Sequence, residues 1–539
     1  MGNNQDKGRN IIVQGSILAI AQIVVRLIGL VYRIPLQRIA GDVAMGYYGY
    51  AFDIYMMLLL ISSNGVPLAV SKMISAVRVD KNFVNERRIM LVSVVFTFII
   101  GGALGGLTFI FANQIVTAMF GADMLGVVPA LRVLAPTVFL CCVMSSFRGY
   151  FQGIENMIPT AVSQIIEQIF NAVVSIAAAY MLVKYGAPYA AMGGTLGTCI
   201  GALSSVVFLV FVYLLYRPTL VRRAKRDKTH QADSYRKITV MMGILMGPVI
   251  VSSIIYQISG IVDSSLYSHI LSNHGYAPEL VSTLYGIYTT KYKTLVNVPL
   301  ALATALGLAV VPGVTEAWKR NNLPVVREKI STTVKFCMVI AIPACVGLSV
   351  LAAPIMQLLY NDTTTLASRL LMIGTPYVFF YSLSTVTVGA LQGIDKMRVP
   401  VINAGISLAV HVVFIVILLQ FCDMNIYAIL YSNILFGFMM CILNQIALRK
   451  AIDYQQEMIQ TFLIPGVSSA VMGVVTFFVY RGIYLLLHTN LAAIILSIAA
   501  SMVVYALMLV RLKGITEEEI YQFPKGTTLV HLFKKMRIL

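Results

Sequence analysis

Charge is scarce in this sequence. Only 12% of its 539 residues are Asp, Glu, Lys or Arg, and 58% are hydrophobic; soluble domains average about 25% charged. With a mean hydropathy of +0.83 the chain cannot coat a water-facing surface of its own size. Soluble multidomain enzymes, disordered chains and secreted disulfide scaffolds are thereby excluded. Cysteine is sparse too: Cys141, Cys142, Cys199, Cys337, Cys345, Cys422 and Cys441 lie in or beside apolar runs and form no C-x-x-C pair. Neither a metal site nor a disulfide framework is expected. There is no Walker phosphate loop, no nucleophile–base signature and no acidic cluster between apolar runs. An ATP-driven pump and a membrane glycosyltransferase are disfavoured, and no enzyme activity or cofactor is expected. A channel would need a filter loop or a ring of charges, and neither is visible.

Long apolar runs take the place of what is missing. A membrane-spanning helix needs about 20 mostly apolar residues. That window predicts an all-α integral membrane protein with fourteen spans, near 11–32, 47–70, 89–112, 124–147, 158–183, 188–216, 237–263, 281–312, 330–352, 366–390, 399–420, 424–447, 459–483 and 489–511. The runs are too long and continuous for barrel strands. The first run holds Arg26 and lacks a small-residue cleavage site, so it reads as a retained span.

The basic residues orient these spans. With the amino terminus inside, 31 of the 40 Lys and Arg fall on the cytoplasmic face, five on the opposite face and four within spans. The expected location is a bacterial cytoplasmic membrane with both termini cytoplasmic. The same asymmetry removes the nucleic-acid reading of a +18 net charge, because the positive charge serves topology. Arg222, Arg223, Lys225, Arg226 and Lys228 form a basic stretch that faces anionic lipid. In the carboxyl tail Leu529, Leu532, Phe533 and Met536 recur at helical spacing, which predicts a short helix lying on the inner leaflet.

An internal repeat divides the chain. GYFQGIENM at 149–157 matches GALQGIDKM at 389–397, so that Gln152 and Gly153 pair with Gln392 and Gly393. The same offset of 240 pairs Gly46 with Gly286, Tyr48 with Tyr288, and Leu68-Ala69-Val70 with Leu308-Ala309-Val310. The expected organisation is a first six-helix lobe (1–216), a basic linker (217–236), a second six-helix lobe (237–448), two added helices (449–511) and a tail (512–539). Two lobes of one topology are related by an axis along the membrane normal, an arrangement of transporters whose substrate site lies between halves.

Ionisable groups inside spans are costly, about 2.5–3.5 kcal/mol each at mid-helix on insertion scales, and so mark function. Arg26, Asp53, Arg132, Asp263, Lys291 and Lys293 fall in the outer half of the bilayer by this topology. They are the candidate substrate-binding residues, lining a cavity between lobes. Structural ion pairing or snorkelling is the competing role, above all for Lys293 and Arg132. Glu167 is expected to make a polar helix–helix contact, and His411 to be packed.

Two six-helix lobes, two further helices and the segment GYFQGIENMIPTAVSQIIEQI at 149–169 resemble the multidrug/oligosaccharidyl-lipid/polysaccharide (MOP) exporter superfamily. Within it the chain is similar to the polysaccharide biosynthesis and stage V sporulation protein B branch, and to Gram-positive lipid II flippases. Arg26 and Gly29 match that branch's helix 1 pattern, while Val25 stands where it has Ser and no Asp follows Arg33. The resemblance implies flipping of an undecaprenyl-pyrophosphate-linked saccharide, lipid II first among them. It also implies cell-wall synthesis machinery as a partner and coupling to Na⁺, H⁺ or the membrane potential. A cation-coupled multidrug antiporter of the same superfamily, or an exporter of a polysaccharide or teichoic-type lipid-linked oligosaccharide, is the alternative.

Overall fold

In the computed structural model, residues 2–60, 65–227 and 232–515 are described. The expected inner-leaflet helix at 529–536 and Lys228 lie outside them. Among the described residues every regular element is helical. Twelve helices there are long and apolar enough to cross a membrane. The fourteen expected stretches map onto them unevenly. Spans 11–32 and 47–70 share one run counted as Ile20–Leu60, and 237–263 falls in a helix outside the twelve.

Contacts divide the chain into Met1–Thr290 and Lys291–Leu539. The first unit holds α1 (Gly2–Leu60), α2 (Val66–Val79), α3 (Phe83–Ile110), α4 (Ala112–Phe120), α5 (Val128–Gly153), α6 (Ile158–Leu182), α7 (Ala187–Arg226), α8 (Tyr235–Asn273) and α9 (Pro278–Gly286). Gly41, at φ 80°, breaks α1 into two helical stretches, a conformation that glycine adopts without steric cost. The second unit holds α10 (Lys293–Lys319), α11 (Leu323–Val350), α12 (Ala352–Tyr360), α13 (Thr365–Gly374), α14 (Pro376–Gly393), α15 (Arg398–Gln420), α16 (Ile426–Ile452), α17 (Ile464–Leu487) and α18 (Asn490–Arg511). Segment 235–290, which the repeat assigns to the second lobe, packs by contacts with the first unit. The first half of the expected linker, 217–226, is a continuation of α7, which runs on to Arg226.

Large apolar side chains are exposed on both units, among them Ile99, Val207 and Leu215 in the first and Phe478, Leu486 and Met502 in the second. Such faces suit acyl chains as neighbours. Some buried hydroxyls are satisfied within their own helices: Thr97 donates to the Ser93 carbonyl at 2.9 Å, and Thr387 to the Leu383 carbonyl at 3.0 Å.

The repeat is written into the backbone. Helices α3 and α11 start and stop 240 residues apart, and so do α4 and α12. Asn82 and Asn322 cap α3 and α11 by accepting from the backbone N–H three residues on, at 3.0 and 3.3 Å. Left-handed residues recur as well: Lys81 and Asn321 at φ 57° and 54°, Glu155 and Asp395 at φ 59° and 58°. These last two residues make the turn after the Gln-Gly-Ile motifs, so neither motif glycine supplies a positive φ. Gly153 and Gly393 are there for close packing. A methyl group at Gly153 would come within 2.7 Å of Ile74, and one at Gly393 within 2.7 Å of Val314, the residue 240 positions further on. Gln152 and Gln392 are half-buried beside them.

Candidate functional site

Each unit carries candidate residues of its own. In the second unit, Lys291 ends up buried at 4% exposure, its ammonium 2.6 Å from Asp362 Oδ2. A π-helical stretch, Ile287–Tyr292, carries the lysine. Such wide turns are rare and gather at functional positions. Asp362 sits in the turn between α12 and α13, after left-handed Asn361, and its Oδ1 accepts the Thr364 N–H at 2.8 Å. Burial by itself would raise the Asp362 carboxyl, but hydrogen bonds from Lys291 and Thr364 outweigh it and hold the group below its ordinary range. Removing one member of such a buried pair costs about 3–5 kcal/mol, because the other charge is stranded. Lys293, two residues on, is half-buried; two residues turn a helix by about 200°, so the two lysines point apart.

In the first unit, Asp53 accepts a short hydrogen bond from Tyr285 Oη, and Tyr285 stacks on Tyr50 with ring centroids 4.2 Å apart. Asp263 is buried in α8 at 2% exposure. Arg26 and Arg132 are exposed, on α1 and α5. Exposure leaves both guanidinium groups available to a ligand and gives them little part in holding the fold.

Sequence reasoning missed three charges. Arg148 falls between the expected spans 124–147 and 158–183, yet it lies inside α5, and its Nη2 is 2.7 Å from Glu167 Oε2. It also donates to Ser163 at 3.1 Å and Ser205 at 3.3 Å. Glu167 therefore does make a polar helix–helix contact, an ionic one. Glu86 in α3 is fully buried, accepting from Tyr150 at 2.8 Å and facing Arg78 at 3.4 Å. Lys335, inside the expected span 330–352 but not among the candidates, is 6% exposed within α11 and donates to Gln460 at 3.3 Å. For Arg148 and Glu86 the signal was position: each lies within about two turns of a helix end, where hydropathy windows trim residues that stay helical. His411 is fully buried, with Nδ1 2.8 Å from the Ser432 carbonyl.

Two cavities accompany these groups. One of 420 Å³ is an apolar groove between α1 and α6, lined by Leu27, Ile28, Val31, Tyr32, Val173 and Ile176 among others. Another of 360 Å³ lies between the start of α11 and the turn after α16, lined by Arg327, Glu328, Ser331, Asp453, Tyr454 and Gln455. Burial pushes the Tyr454 phenol up to about 12. Among the described residues no cluster of His, Cys, Asp and Glu is placed to hold a metal ion. What the arrangement offers is cation–anion recognition, in the Lys291–Asp362 and Arg148–Glu167 pairs.

Residues 12–318 match the polysaccharide biosynthesis protein family, and residues 293–417 match the MatE family. The lipid II flippase MurJ of Bacillus subtilis (strain 168) is 25% identical over 477 residues, covering 85% of this chain and 86% of its own. Stage V sporulation protein B of the same organism is 24% identical over 515 residues, covering 94% and 96%. Among solved structures, MurJ in an inward closed conformation fits with a TM-score of 0.66 at 16% identity, covering 91% of this chain and 97% of that one. An inward-facing multidrug resistance MATE transporter of the MOP superfamily fits with a TM-score of 0.68 at 15% identity, covering 82% and 98%. These structural fits show a shared fold.

Proposed function

Because this chain belongs to the polysaccharide biosynthesis protein family, on the MurJ and stage V sporulation protein B branch of the MOP superfamily, we propose that it flips a lipid-linked oligosaccharide. The substrate on this reading is an undecaprenyl-pyrophosphate-linked saccharide, with lipid II first among them. The observation that carries it is likeness at nearly full length to a named lipid II flippase and to a sporulation protein of the same build. The protein is a multi-pass membrane transporter and not an enzyme. It works by alternating the side of the membrane to which its substrate site opens, in a bacterial cytoplasmic membrane with both termini inside.

The chemistry of the span charges supports an anionic cargo. A pyrophosphate headgroup needs cations out of bulk water, and Arg26, Lys291, Lys293 and Arg132 supply them. Arg26 can present a planar fork to two phosphate oxygens, and Lys291 a compact charge. Asp53 and Asp263 would balance those cations when no lipid is bound. The energy source, Na⁺, H⁺ or membrane potential, belongs to the same proposal.

Depletion in the native host tests it, with lipid-linked precursors quantified in the inner leaflet. Accumulation relieved by wild type but not by Arg26→Ala, at equal membrane abundance, is the expected result; Arg26→Lys should relieve it in part. The MatE match over 293–417 favours a second reading, a cation-coupled multidrug antiporter. Depletion would then raise sensitivity to cationic drugs and leave precursor pools unchanged.

A further inference from the structure

The buried ion pair is absent from the first copy of the repeat. Counting back 240 residues from Lys291 and Asp362 gives Ala51 and Ala122. The surrounding pieces are otherwise alike: α3–α4 and α11–α12 share their boundaries at this offset. Ala51 lies in regular α-helix, fully buried, whereas Lys291 lies in the π-helical turn. The first copy thus has small apolar side chains at these places, Ala51 buried and Ala122 exposed in a 3-10 turn. A buried ion pair gains little or nothing over apolar residues of similar size, so stability does not account for its presence here. A charge kept within a span, in a widened turn, marks function instead.

Geometry suggests which function. One Asp362 oxygen is tied to the Thr364 N–H at 2.8 Å, which aims the other at Lys291. The carboxylate is therefore a fixed, monovalent anion seated on a cation whose three N–H donors suit phosphate oxygens. A diphosphate carries more charge and more acceptor oxygens than one carboxylate. We infer that Asp362 is a tethered counter-ion that occupies Lys291 until the diphosphate of the lipid-linked substrate displaces it, so that Asp362 sets the affinity of the lysine for its cargo. This rests on the proposed anionic substrate. While the pair is closed Lys291 is 4% exposed and out of reach, so apparent affinity falls by the fraction of molecules in which it is open. Asp362 is a positioning residue, and Lys291 is the group that meets phosphate.

The test uses the full-length protein in lipid nanodiscs, with undecaprenyl pyrophosphate as probe and undecaprenol, the same tail without phosphate, as control. Wild type should bind the pyrophosphate and not the alcohol. Asp362→Asn should bind about tenfold tighter, as removal of a competing state requires. The Lys291→Met/Asp362→Leu double variant, apolar and of similar size, should keep the wild-type melting temperature and bind more weakly than wild type. Should Asp362→Asn fail to accumulate, Thr364→Pro serves: Thr364 has φ −68°, which proline adopts, and the change removes the N–H that fixes the carboxylate. Tighter binding by that variant is again expected. Equal or weaker binding by folded Asp362→Asn or Thr364→Pro, or undiminished binding by the double variant, overturns the inference and leaves the flippase reading standing. No pyrophosphate binding by wild type overturns both.

Discussion

Gly46 and Gly286, equivalent glycines of the two repeats, meet at one helix crossing inside the first unit. A methyl group at Gly286 would lie 2.7 Å from the Gly46 nitrogen and 2.2 Å from the Asp42 carbonyl, and one at Gly46 would lie 1.9 Å from the Ser282 carbonyl. Residues 42 and 282 are also 240 apart. Each glycine thus covers the partner's equivalent residue, the reciprocal pattern of an isologous contact. Ser282 fastens the crossing by donating to the Val43 carbonyl at 2.9 Å.

Side chains cannot enter that crossing. Gly46→Ala and Gly286→Ala should each destabilise by about 1–3 kcal/mol, the range for overpacking. Gly102→Ala and Gly106→Ala, with nothing within 4 Å of the added methyl, should be near neutral. Thermal unfolding in detergent, compared across the four variants, is the measurement.

Arg148 and Glu167 should behave as a coupled unit. Their side chains are 15% and 21% exposed, so solvent screens the pair in part. Arg148→Met or Glu167→Met alone should cost about 1–3 kcal/mol, since each strands a charge-assisted hydrogen bond. The double change should cost clearly less than the sum. Additive losses in a double-mutant cycle would show that the pair carries no coupling.

Acid should expose the Lys291–Asp362 pair in stability. Because the Asp362 carboxyl is held below its ordinary value of 3.8, its contribution is fully present above that value. It disappears as pH falls through the lower folded value. The stability gap between wild type and Asp362→Asn should therefore stay constant from about pH 7 to 5 and close below about pH 4. Unfolding curves at several pH values decide this; a gap that widens in acid would contradict the sign.

Topology is open to a labelling experiment. Cys422 is exposed in the turn between α15 and α16, on the outer side by the charge count, and should react with a membrane-impermeant thiol reagent in intact cells. In a Cys422→Ser background, Asn273→Cys should label and Arg223→Cys should resist. The opposite pattern would invert the orientation.

The sequence by itself determined the membrane class, the helical runs and the duplication, because each is a local or periodic property. Twenty apolar residues commit a segment to the bilayer whatever lies beside it. An offset of 240 can be counted without knowing a single contact. What only the tertiary structure decided is which charge meets which. Lys291 finds its carboxylate 71 residues away in a turn that composition does not mark, and Arg148 proved helical because α5 continues beyond the apolar window. The use of Gly153 and Gly393 was also invisible, since a glycine at a close approach and one at a turn read alike until Ile74 and Val314 are in place. Segment hydropathy governs insertion residue by residue, whereas ion pairing and close packing depend on neighbouring helices that no single segment encodes.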